Sequence, residues 1–126
     1  LGAEGVQVAT RFVTTWECDA SQAYKDTYIQ AKKEDIVITQ SPVGMPGRAV
    51  KNKFIEKVQN APGGVKGCYN CLKACNPATA EYCISQALIN AVEGNLDEGL
   101  IFCGLQTGEI REISTVRQVV EELLEC

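Results

Sequence analysis

The sequence predicts an α/β fold, and three observations carry that prediction. Short β-rich runs (VQVATRF at 6–12, IVIT at 36–39, GLIFCG at 99–104) alternate with longer stretches whose apolar residues recur at helical spacing. Gly- and Pro-rich breaks separate them. The length, 126 residues, suits one domain with a sizeable core. The expected order is strand, helix, strand, helix, cysteine loop, helix, strand, helix. That alternation has too few strands to close a barrel by itself.

Val6 to Phe12 reads as a strand ending in a tight turn, preceded by Gly2 and Gly5. Next, Ala20, Ala23, Tyr24, Thr27, Tyr28 and Ala31 recur at helical spacing, and Asp19 with Gln22 resembles a capping box. A helix is expected from about Ser21 to Lys33. Ile36 to Thr39 is a β-branched strand stopped by Ser41-Pro42, and VGMPGR (43–48) is expected to be a Gly/Pro turn or loop. From Ala49 to Val58, Val50, Phe54 and Val58 fall on one face and Lys51, Lys53 and Lys57 on the other, the pattern of a short helix. NAPGGVKG (60–67) reads as a flexible connection.

Asn76-Pro77 is a good cap-plus-first-turn pair, and Ala80, Cys83, Ile84, Ala87, Leu88 and Ala91 continue as an apolar stripe. That helix is expected to stop at Gly94-Asn95. GLIFCG is a brief buried strand or extended segment. Ser114 then caps a terminal helix with Val116, Val119, Val120 and Leu123 on one face.

A net charge of −4 argues against a general nucleic-acid binder, which needs a positive surface to displace phosphate counterions. No apolar run reaches the length of a membrane span, and no charged-then-apolar leader pattern opens the chain. A cytoplasmic address with reduced thiols is therefore expected. So are a small-molecule substrate and neither a nucleic-acid nor a membrane partner.

Four of the seven cysteines lie within sixteen residues, as Cys68, Cys71, Cys75 and Cys83 in a C-x2-C-x3-C-x7-C pattern, in a chain without histidine. Several readings stay open. The four are reduced packing thiols in a tight loop, ligands of a four-iron cluster, ligands of zinc, or disulfide partners. Disulfides sit poorly with a reducing compartment, and zinc ribbons usually present two C-x2-C knuckles where this chain has one. Iron–sulfur clusters accept less symmetric spacings. Cys83 lies near a helix start, where the dipole favours a thiolate, yet also on that helix's apolar stripe. Cys18, Cys103 and Cys126 stand apart and read as structural or incidental.

Three separated motifs carry a resemblance. LGAEGVQVATRF resembles the last barrel strand and phosphate-binding turn of the nitronate monooxygenase family, whose close relatives are the FMN-dependent enoyl-ACP reductases. SPVGMPGRAVKNKFI is similar to the family's small cap segment, and FCGLQTGEIREISTVRQVVEELLE to its closing stretch and terminal helix.

The resemblance implies the C-terminal portion of a (β/α)8 TIM barrel, its last strand and closing helix, plus a small α+β cap segment. Residues 1–34 would hold the last barrel strand, phosphate turn and following helix. Residues 35–94 would be the cap with the cysteine loop at 68–83, and 95–126 the closing segment. A whole barrel takes about 250 residues, so the chain is expected to be a fragment, inactive alone and exposing apolar surface that drives homo-oligomerisation.

By the same resemblance the cofactor is FMN, contacted by Gln7, Val8, Ala9, Thr10, Gly104, Gln106 and Gly108. Where the family usually has Gly, this chain has Ala9; Leu105 stands at the usual Gln position, with Gln106 one step later. Arg48 also matches a family position, though a solvated basic face shared with Lys51 and Lys53 explains it as well. The family's catalytic histidine lies earlier than this chain, so no catalytic residue is assigned in it. The implied activity is oxidation of alkyl nitronates with O2. The alternatives are an NAD(P)H-dependent enoyl-ACP reductase and a non-enzymatic cysteine-rich metal-binding or interaction module.

Overall fold

In the computed structural model, residue 2 and residues 4–125 are described. The expectation for Cys126 lies outside them. The elements follow the chain as α1 (Thr10–Val13), α2 (Gln22–Gln30), β1 (Ile36–Gln40), β2 (Pro46–Val50), α3 (Lys53–Asn60), α4 (Ile84–Glu93) and α5 (Val116–Leu124). Single 3-10 turns occupy Lys33–Asp35, Leu96–Glu98 and Leu105–Glu109. No helix is long and apolar enough to cross a membrane among the described residues.

β1 and β2 form an antiparallel hairpin in register Ile36↔Val50 through Gln40↔Pro46. The expected loop at 43–48 is thus half strand. β1 offers a complete ladder of backbone partners, and that outweighs the weak strand propensity of Pro46 and Gly47. The same pairing takes Ala49 and Val50 away from the expected helix, which begins at Lys53 instead. Asn52 starts it: its Oδ1 accepts from Ile55 N (3.0 Å), and its Nδ2 donates to the carbonyls of Leu96 (2.9 Å) and Gly99 (2.8 Å).

Residues 99–103 run extended beside β2, as expected for GLIFCG. Val50 N donates to Ile101 O (2.9 Å) and Cys103 N to Arg48 O (3.0 Å). Gly47 permits this crossing, since a Cβ there would stand 2.5 Å from the Phe102 ring. Alternation along these two segments divides the core. Ala49 and Leu100 join Phe54, Ile55, Val58, Tyr82, Ile84 and Ala87, whereas Val50 and Ile101 join Tyr24, Tyr28, Ala31 and Ala91.

Other expectations are corrected. Residues 5–9 form no strand, and Thr10–Val13 is a helical turn. A barrel strand needs ladder partners, and no strand among the described residues lies beside this segment. Helix α2 is capped by Ser21, whose Oγ accepts from Tyr24 N, in place of the Asp19/Gln22 box. Asn76-Pro77 makes turns only, and α4 starts at Ile84 with Cys83 at its N-cap. It does end at Gly94, in the left-handed region (φ +95°). Thr115, not Ser114, caps α5, in a reciprocal box with Gln118.

Candidate functional site

The site begins where the chain enters its first helical turn. Thr14 and Thr15 are buried and fold their hydroxyls back onto the carbonyls of Arg11 (3.2 Å) and Phe12 (2.8 Å). Ser114 pins this bend from the far end of the sequence: its N–H donates to Thr14 O (3.0 Å) and its carbonyl accepts from Trp16 N (3.0 Å). The Lys25 ammonium, itself buried, donates to Thr15 O (2.9 Å) and ties the bend to α2.

The second wall is the segment after Phe102. The buried phenol of Tyr28 donates to Phe102 O (2.6 Å) and accepts from the Tyr24 hydroxyl (2.8 Å). Burial pushes both phenols up from their ordinary range, so they stay protonated donors at neutral pH. Burial likewise pushes the Cys103 thiol up, against smaller downward effects of Thr107 and Arg48. Cys103 packs against the core, as a structural cysteine should. The Thr107 hydroxyl donates to Gly104 O (2.8 Å), curling residues 105–109 into their 3-10 turn.

These two walls meet at one contact. Gly104 N donates to Thr10 Oγ1 (2.9 Å), across 94 positions of sequence. Between the walls lies a cavity of about 760 Å³, within the size range of small-molecule sites. Gln7, Val8, Ala9 and Thr10 line one side, and Gly104 and Gln106 the other. Six of the seven residues assigned to cofactor binding from sequence are thus brought together. Gly108 is not: it is buried, its Cα packed so close to the Lys32–Lys33 backbone that a Cβ would meet Lys33 N at 2.8 Å. Arg48 is exposed on β2 and lines none of this cavity.

Sequence reasoning missed Arg11, Arg111 and Ser114, which also line the cavity. Arg11 adjoins Thr10 and was open to notice; nothing in the sequence near Arg111 or Ser114 signals their position. Arg11 pairs with Glu122 of α5, and Glu109, Glu112 and Glu122 share the rim with the two arginines. The backbone N–H groups of Val8, Ala9 and Thr10 have no acceptor among the described residues. Such uncovered amides attract an anion more locally than net charge does.

The four clustered cysteines line a separate small cavity beside the start of α4. None is in a disulfide. Among the described residues, no group of three or more Cys, Asp or Glu could hold a single metal ion. The zinc expectation is corrected on that ground, because tetrahedral zinc needs all its ligands about 2.3 Å from one point.

A family model described as nitronate monooxygenase matches residues 1–125. The chain belongs to the nitronate monooxygenase family. Within it, a probable nitronate monooxygenase of Staphylococcus saprophyticus is 48% identical over 58 residues, which is 46% of this chain and 16% of that protein. One from Staphylococcus aureus strain Newman is 40% identical over 65 residues, 52% of this chain and 18% of its own. Among solved structures, FabK from Thermotoga maritima superposes with a TM-score of 0.77 at 34% identity, covering 98% of this chain and 37% of FabK. A mutant of that protein gives 0.71 at 31% identity, with 98% and 33% covered. The chain thus spans under a fifth of the curated relatives and about a third of the solved ones. Members of the family are in general FMN-dependent oxidoreductases.

Proposed function

We propose that the protein containing this chain is a cytoplasmic FMN-dependent oxidoreductase, most like a nitronate monooxygenase. In this reading the chain is the C-terminal portion of a (β/α)8 barrel with its cap, and supplies the phosphate end of the flavin site. The observation that carries the reading is the Thr10–Gly104 hydrogen bond, which closes two distant segments around one cavity.

The donor set fits a flavin phosphate. The free amides of Val8, Ala9 and Thr10 point to anion binding, and the Thr10 hydroxyl, accepting from Gly104, keeps its own proton to donate. Gly104 allows close approach, since a Cβ there would already stand 3.2 Å from Thr10 Oγ1. Bound FMN would supply the redox chemistry, exchanging electrons with a nitronate and then with O2. The part of this chain is to bind and orient. It contains no histidine, so the role of the family's catalytic histidine is not placed on this chain.

One observation favours a second reading, an NAD(P)H-dependent enoyl thioester reductase. The likeness to FabK runs over 98% of the chain, whereas the curated nitronate monooxygenases match only about half of it.

Thr10→Val and Gly104→Val in the full-length protein test the site. Each should weaken FMN binding about tenfold or more, near 1.4 kcal/mol, by flavin fluorescence titration. Parental affinity in both variants would remove the assignment. Turnover of a nitronate with O2, set against oxidation of NAD(P)H by an enoyl thioester, separates the two reactions. The chain produced alone should also self-associate, because Val120 and Leu124 of α5 are 41% and 80% exposed and Val6 is 82% exposed. A monomer by light scattering across a wide concentration range would contradict that.

A further inference from the structure

The cysteine loop is the feature that the flavin reading leaves unused. It is not a loose excursion. Gly64 N donates to Glu81 O (2.9 Å) and closes its base. Beyond that closure Tyr82 anchors it, its hydroxyl donating to Gln40 O (3.1 Å) and its ring standing edge-on to Phe54 with centroids 5.2 Å apart. Inside the loop the chain turns on itself at Asn76, whose carbonyl accepts from Thr79 N (3.1 Å) and Ala80 N (2.9 Å). The result is that Cys68, Cys71, Cys75 and Cys83, spread over sixteen residues, are all among the residues lining one cavity, Cys68 and Cys71 exposed and Cys75 and Cys83 half-buried. That cavity leaves about 50 Å³ for the centres of water molecules, several times what one water needs.

Two details fix the positions of the sulfurs. Asn70 adopts a left-handed backbone (φ +52°), the only non-glycine with positive φ among the described residues. That conformation costs about 1 kcal/mol or more for an L-residue. It aims Asn70 N–H at Cys68 Sγ (3.3 Å). The Cys68 thiol in turn donates to Asn70 Oδ1 (3.6 Å), so the two residues hold each other in place. Cys71 Sγ lies 2.9 Å from Ser85 Oγ in the first turn of α4, and Cys83 is the N-cap of that helix. Two of the four cysteines are thus placed at the N-terminal end of a ten-residue helix.

The same geometry chooses between soft-metal groups. One ion would require the sulfurs to converge on a point, which they do not. A cluster asks each sulfur to reach a different iron around a shared centre, and four thiols lining one cavity meet that requirement. We propose that Cys68, Cys71, Cys75 and Cys83 bind a four-iron, four-sulfide cluster, one cysteine to each iron. This inference stands independently of the flavin reading, because its readouts are iron and sulfide.

The test uses the full-length protein, purified without oxygen and reconstituted with ferrous iron and sulfide. About four irons and four acid-labile sulfides per chain are expected. Cys71→Ser and Cys83→Ser should lose at least half of both, while Cys18→Ser and Cys103→Ser keep them. Alkylation mapped by mass spectrometry gives a readout without variants: loading should protect the four loop thiols at least tenfold and leave Cys18 unchanged. Absence of labile sulfide after reconstitution would overturn the proposal. So would zinc bound at one per chain without sulfide, or a cluster that survives the Cys71→Ser/Cys83→Ser double variant.

Discussion

Removing one oxygen atom from the centre of the molecule, as Tyr28→Phe, tests the joint between core and site. Tyr28 is 1% exposed, and its hydroxyl joins Tyr24 on the same helix to the carbonyl of Phe102. The ring stays in the variant, so little packing is lost. What remains is a buried carbonyl without its donor and a second phenol without its acceptor. Such orphaned groups cost roughly 1–3 kcal/mol. With a urea dependence of about 1–3 kcal/mol per molar for a chain of this size, the unfolding midpoint should fall by about 1 M. The strap that loosens, residues 102–104, is the one that delivers Gly104 to Thr10, so flavin affinity in the full-length protein should weaken with stability. Urea unfolding followed by circular dichroism at neutral pH checks the first effect and flavin titration the second. An unchanged midpoint would refute the reasoning, since it would mean that water or a shift of the strap replaces the phenol at no cost.

Four further outcomes are expected. Gly108→Ala places a methyl 2.8 Å from Lys33 N, against backbone that cannot swing aside, and should cost about 1–3 kcal/mol, visible as a lowered melting temperature. Asn52→Ala removes the cap of α3 and both bonds to the 96–99 turn, and should cost about 2 kcal/mol or more. Lys53→Ala, which breaks only the exposed pair with Asp97, should leave the urea midpoint nearly unchanged. Alkaline pH should unfold the chain through its buried phenols. Burial pushes Tyr82 up to about 12 and raises Tyr24 and Tyr28 too, so the unfolded chain releases these protons first. Their contribution is whole below pH about 10 and declines as pH rises beyond it, that of Tyr82 being lost by about 12, by up to about 1.4 kcal/mol per pH unit for each phenol. Urea midpoints measured in steps above neutral pH should show that decline, shallower in Tyr28→Phe.

The elements legible in the sequence are those whose evidence is local. Helix α2 announces itself by the spacing of Tyr24, Tyr28 and Ala31, α4 by its stripe and the glycine at its end, and β1 by its β-branched run. The lysines opposite Phe54 and Val58 are exposed, as their spacing requires, and pair with Glu56, Asp97 and Glu98. Six residues of the candidate site were legible too, but through motif resemblance rather than pattern.

Tertiary structure alone decided the rest. Pro46 to Arg48 reads as a turn or loop and Ala49-Val50 as the start of a helix, yet all five form a strand because β1 satisfies their backbone. Val6 to Phe12 reads as a strand, yet residues 6–9 are not one and Thr10 begins a helical turn, because a strand exists only where another chain segment completes its ladder. The meeting of Thr10 with Gly104, and of four thiols around one cavity, depends on how the chain returns upon itself. Periodicity and capping act over a few residues and are written in the sequence; ladders, cavities and close approaches join residues far apart, and only the folded chain sets which ones meet.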